Sequence, residues 1–140
     1  MEQALYQAAV TTFENLGYMF PLEGDRAPEP PVGDTVTVGV GFHGSITGRV
    51  TLEVEEALLE VVASNMLGDE GPHLNEFLYD AIGEVANVIT GNAQSEIAGK
   101  REVFKLEPPA VKADAELDAE SAAANIALDE GRARVAIYLN

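Results

Sequence analysis

The sequence predicts an α+β fold, an antiparallel sheet packed against helices, in the order α-β-β-α-α-β-β-β, within one domain spanning residues 1–140. Three observations predict it. Two period-2 runs flank a short Gly-containing connection near residue 44, the mark of a hairpin with one buried face. A stretch from Asn75 to Ala98 repeats its apolar residues at helical spacing. A second hairpin pattern closes the chain.

Taken in order, Glu2 to Leu16 reads as a helix with Leu5, Ala8, Ala9, Thr12 and Leu16 on one face and Gly17 as its stop. Pro21 to Pro31 is an acidic, proline-rich loop. In the first hairpin Val36, Val38, Val40 and Phe42 alternate with Thr35, Thr37, Gly39 and Gly41. Ile46, Gly48, Val50, Leu52 and Val54 do the same beyond His43-Gly44. A helix follows from about Glu55 to Leu67, closed by Gly68.

The longest helix comes next. Asn75 is placed as its N-cap, with Leu74 and Tyr79 set for a hydrophobic staple. Phe77, Leu78, Ala81, Ile82, Val85, Val88, Ile89 and Ile97 make its apolar stripe. Val103 to Leu106 is a short strand ended by Pro108-Pro109. Lys112 to Ser121 is a polar segment, a loop or a turn of helix. The last hairpin pairs Ala124–Leu128 with Ala133–Leu139 around Asp129-Glu130-Gly131, where Gly131 suits a left-handed turn position. If the final apolar strand lies at a sheet edge, pairing with a second copy would cover it and give a homodimer.

Composition excludes several classes of function. The chain has 140 residues, 46% of them apolar, and a net charge of −16. Residues 1–99 carry sixteen acidic side chains against Arg26 and Arg49, and the other six bases begin with Lys100 and Arg101. Nucleic-acid phosphates and acidic membrane surfaces need a cationic face that this balance does not supply. No cysteine is present, so disulfides, thiolate zinc sites and cysteine nucleophiles are excluded. No apolar run reaches the roughly 20 residues that span a bilayer. Met1-Glu2-Gln3 lacks the basic start of a secretory signal, so a cytoplasmic location is expected.

Function points to the long helix. At about 100° per residue, Glu76, Asp80, Glu84, Asn87, Gly91 and Gln94 fall in a stripe roughly 80° wide, opposite the apolar residues. Glu84 and Asn87 are neighbours at i and i+3. Asn87 costs roughly 0.7 kcal/mol against alanine in mid-helix, and Gly83 and Gly91 roughly 1 kcal/mol each. No Lys or Arg balances the three carboxylates. Local rules broken at an exposed face mark function, and glycines let another surface come close. A carboxylate beside an amide can bind a partner's cation while the amide orients a water, which suits phosphoryl hydrolysis. Two carboxylates and an amide could instead hold Mg²⁺ weakly.

Asp80-Ala-Ile-Gly-Glu84-Val-Ala-Asn87, followed by Val-Ile-Thr-Gly-Asn-Ala, resembles the signature helix of the CheC/CheX/FliY phosphatases of bacterial chemotaxis. That pattern is Asp or Ser, three residues, Glu, two residues, Asn, and later a proline. Pro108 and Pro109 lie one or two residues nearer to Asn87 than the pattern has it. The hairpin Gly41-Phe-His-Gly-Ser-Ile-Thr-Gly-Arg-Val50 and the helix end Asn65-Met-Leu-Gly68 are similar to the family too. One motif in a chain of this length resembles CheX rather than CheC, which carries two.

The resemblance implies a phosphatase acting on the phospho-aspartate of a CheY-like response regulator. Glu84 would pair with a lysine of the regulator, Asn87 would orient the attacking water, and Asp80 would support them. Gly83, Gly91 and Gln94 would face the partner. Mg²⁺ would belong to the regulator, with no metal site and no cofactor here, and a homodimer is implied. The alternative is a docking module that binds a regulator or the flagellar switch without hydrolysis. Retention of the amide favours catalysis. In a purely structural domain the stripe would be merely solvated, which the two glycines and missing bases argue against.

Other motifs carry less. His43 reads as a turn residue and His73 as a loop residue, with no third ligand for zinc. Gly39, Gly41 and Gly44 lie in a hairpin, not between a strand and a helix, so they form no phosphate loop. Lys100, Arg101 and Lys105 form a basic cluster that could steer an acidic partner or end a helix favourably, and the second reading is preferred.

Overall fold

The computed structural model describes residues 1–22, 29–99, 104–111 and 120–140. Three helices and six strands run α1 (Glu2–Gly17), β1 (Thr35–His43), β2 (Gly48–Glu55), α2 (Ala57–Leu67), α3 (Asn75–Ala98), β3 (Lys105–Leu106), β4 (Ala110–Val111), β5 (Ala122–Leu128) and β6 (Gly131–Leu139). The expected α+β order holds, with one more strand after α3 than the sequence predicted. Val103, Lys100, Arg101 and most of the polar segment after Val111 lie outside the described residues.

All strand pairs are antiparallel, in the order β3-β1-β2-β6-β5, with β4 also on β1. Period-2 alternation decides which face is covered. Val38, Val40, Phe42, Leu52, Val54, Val135 and Ile137 are almost fully buried in one core with Leu5, Phe13, Leu58, Ile82 and Ile89 of the helices. The opposite face is polar, where Thr35 Oγ1 donates to Glu53 Oε2 at 2.9 Å and Arg134 pairs with Glu120.

Strand β6 pairs with β2 on one side and β5 on the other. It is therefore interior, and the expected edge position of the last strand does not hold. Its apolar run is explained by pairing on both sides. The edges are β5 and the β3–β4 segment. At its end β5 is covered by Pro21 and Leu22, whose N–H donates to Ala127 O at 2.8 Å.

Several turn assignments also shift. The left-handed residue after α1 is Tyr18 (φ 52°) rather than Gly17, while Gly68 (φ 74°) ends α2 as expected. Gly131 is not left-handed. It pairs with Leu128 around a two-residue loop, and a Cβ there would lie 3.1 Å from Glu55 Oε1. Closeness, not φ, favours glycine there. Glu55 accepts the N–H groups of Val32 and Arg132 at 2.9 and 2.8 Å, and the Val32 bond in particular holds its carboxyl below the usual value.

One irregularity matters for the site. Leu106 faces Phe42 and Ala110 faces Gly39, so three residues, Glu107 to Pro109, span only two on β1. This is a bulge, and prolines without N–H groups suit it. The segment is anchored by Phe104, edge-on to Phe42 at 6.1 Å, and by Glu107, whose N–H donates to Gly41 O and whose carboxylate meets His43 Nε2 at 2.7 Å.

Candidate functional site

Helix α3 forms because its apolar residues recur on one side, where Ile82, Val85, Ala86, Ile89 and Ala93 are buried against the sheet and the other helices. Its first helical residue is Asn75, and Leu74 holds the cap position without a side-chain bond. The expected Asn75 cap is therefore displaced by one residue. The shift leaves Leu74 67% exposed, so the hydrophobic staple is absent.

The other side carries Glu76, Asp80 and Glu84, all exposed, then Asn87 and Gly91, both half-buried. No basic residue occurs on the helix. Among the described residues, neither Glu84 nor Asn87 has a side-chain hydrogen bond or ion pair. The Oδ1 of Asn87 is buried without a partner, which costs about 1–3 kcal/mol. A half-turn about χ2 exchanges the two ends of the carboxamide, so it can offer either an acceptor or a donor outward. The pair thus presents a full negative charge and an uncommitted amide one turn apart.

The neighbours behave less uniformly than the wheel arithmetic expected. Gly91 is open, since a Cβ there would meet nothing within 4 Å, and it leaves room for another surface. Gly83 is buried, and a Cβ there would lie 3.3 Å from Pro109 Cγ. The approach that Gly83 permits is thus by this chain's own bulged segment. Gln94, expected on the open stripe, is 2% exposed, and its amide atoms have no partner among the described residues. The stripe ends at Gly91 because the last turns of α3 are covered on this side as well. These two placements correct the expected partner contacts at Gly83 and Gln94.

Phe77, expected in the buried stripe, is 45% exposed. It lies at i−7 from Glu84, roughly 20° away around the axis and about 10 Å nearer the N-terminus. The same arithmetic that places the carboxylates could have found it.

The loop before α3 is tied down by His73. Its Nδ1 meets Glu60 Oε2 at 2.8 Å, its Nε2 meets Asp69, and its backbone N–H donates to Glu60 Oε1 at 2.9 Å. The side-chain bond to Glu60, then that to Asp69, raises the imidazole above its ordinary value of 6.5. The backbone bond from His73 lowers Glu60. A groove of about 500 Å³ beside this loop is lined by Glu60, Val61, Ser64, Asn65, Gly71 and Pro72. It does not include the stripe. No helix among the described residues is long and apolar enough to cross a membrane.

The family model for the chemotaxis phosphatase CheX matches residues 36–138. The chain belongs to the CheX family. A search of curated proteins gives no match. Among solved structures, the CheX protein of Desulfovibrio desulfuricans superposes with a TM-score of 0.74 at 21% identity, covering 99% of this chain and 97% of that one. The complex of CheX with CheY, BeF3 and Mg from Borrelia burgdorferi is similar at TM-score 0.69 and 20% identity, with 99% and 96% covered. FliY of Thermotoga maritima is similar at 0.62 and 18%, with 95% and 83% covered. At these identities the likeness establishes the CheX-type fold. The matched region contains both the motif helix and the proline segment, and here Pro109 rests against Gly83, one turn before Asn87.

Proposed function

We propose that this CheX family chain accelerates hydrolysis of the phospho-aspartate of a CheY-like response regulator. The observation that carries the reading is the pair of exposed Glu84 and half-buried Asn87 on α3, free of partners among the described residues and built at a cost to stability. The Borrelia structure in which a similar chain is bound to CheY supports the choice of partner.

In this mechanism Glu84 pairs with a lysine in the regulator's active site and sets the register of the two proteins. Asn87 enters that site, and its carboxamide accepts a hydrogen bond from the attacking water, leaving a water lone pair directed at phosphorus. Phosphoryl transfer depends on alignment and charge neutralisation more than on a strong base, so a neutral amide suffices. Mg²⁺ is the regulator's and neutralises the phosphoryl oxygens there. Asp80, one turn before Glu84, adds negative charge toward the same lysine. The protein acts in the cytoplasm, as a homodimer.

The test follows decay of phosphorylated regulators from the same organism. Wild type should accelerate decay of one of them at less than one equivalent. Asn87→Ala should lower the rate on the order of 10²-fold while binding persists, and Glu84→Ala should also weaken the complex. Binding without acceleration would make the chain a docking module, and neither binding nor acceleration would sink both readings.

A further inference from the structure

The exposed aromatic beside the acidic stripe lies outside the buried core. Phe77 is 45% exposed and Leu74, one turn before it, 67%. The Phe77 N–H donates to Leu74 O at 3.0 Å, so the two residues share the first turn of α3. A scattered exposed apolar residue needs no explanation. This pair differs because it adjoins Glu76 and Asp80 and is in line with Glu84. Glu70, also exposed, extends the negative charge into the preceding loop. An apolar patch flanked by charge of one sign suits a protein-docking face, in which a few large side chains carry most of the affinity.

We infer that Phe77, with Leu74 beside it, is the affinity-setting anchor for the regulator, seated in an apolar recess of a cationic surface about 10 Å from the lysine that Glu84 meets. The inference rests on the proposed function for its partner. The division of labour is directional along α3. Phe77 holds, Glu84 registers, and Asn87 acts on the water. Phe77 is an anchor that touches no reacting atom and is held alike in the ground and transition states, so its loss changes binding and spares turnover.

The experiment titrates wild type, Phe77→Ala, Phe77→Leu and Asp80→Asn against regulators of the same organism loaded with beryllium fluoride, and follows decay of the phosphorylated forms. Phe77→Ala should raise Kd and KM on the order of tenfold and leave kcat within about twofold. Phe77→Leu should recover most of the loss, and melting temperatures should be unchanged for both. Added salt should weaken wild type and Phe77→Ala in parallel, whereas Asp80→Asn should flatten the salt dependence. Equal Kd and KM for Phe77→Ala and wild type would overturn the anchor and leave the phosphatase reading standing, as would a fall in kcat alone. If wild type binds without accelerating decay and Phe77→Ala weakens that binding, the anchor stands and the phosphatase reading falls. Binding to no regulator overturns both.

Discussion

The loop between α2 and α3 and the open side of α3 are both acidic and adjacent in sequence, but their carboxylates are used differently. At this loop, Glu60 of α2 and Asp69 converge on His73. On α3, Glu76, Asp80 and Glu84 have no partner among the described residues, and no base lies on the helix to supply one. His73 satisfies these two carboxylates within the chain and so ties down the start of α3. The helix leaves its charges unsatisfied, at a cost of repulsion between i and i+4 neighbours. The difference teaches that acidity alone says little about function. Whether a charge is already paired within the chain separates a structural carboxylate from one held for another molecule.

The comparison can be broken most sharply at Asn87. If its amide is maintained for an outside partner, Asn87→Ala should lose rate on the order of 10²-fold while the melting temperature rises, since a poor helix former and an unpaired oxygen are both removed. A fall in melting temperature would mean that Asn87 is structural. The glycines give a smaller effect, about 1 kcal/mol. Gly91→Ala should stabilise by about that amount in chemical denaturation, because the new methyl meets nothing. Gly83→Ala should gain clearly less, because its methyl meets the stiff ring of Pro109 at 3.3 Å.

The smallest effect lies in the loop. The raised value of His73 means its contribution is complete below the ordinary 6.5 and is lost as pH rises past the folded value. The lowered value of Glu60 means its contribution is present above 4.5 and is lost as pH falls through the folded value. The clamp is therefore strongest between about 4.5 and 6.5. Between about pH 6 and pH 9, wild type should lose thermal stability that His73→Gln does not lose. Parallel curves would remove the clamp from the account.

Much of this was legible in the residues. Period-2 runs located β1, β2, β5 and β6 because one face of each is buried and the other polar. Helical spacing located α3 and the Glu84–Asn87 pair. The wheel failed at Gln94 because angle alone does not know where a helix is covered along its length. It placed Phe77 inside by residue type, although its angle set it beside Glu84. Strand β4 and the edge-to-interior change of β6 were invisible because two-residue strands carry no period, and strand order is not a local property. The value of Gly83 depends on Pro109, 26 residues away, which no local pattern connects.

The bulge at Glu107–Pro109 also sets a phase. Leu106 and Val111 both pair with inward residues of β1, Phe42 and Val38, although they are an odd number of positions apart. Strict alternation forbids that, and the extra residue restores it. The segment therefore counts residues. Removing one between Leu106 and Ala110 would turn Val111 to the polar face and draw the proline ring away from Gly83, so a deletion at the sheet edge would be felt at the helix one turn from Asn87.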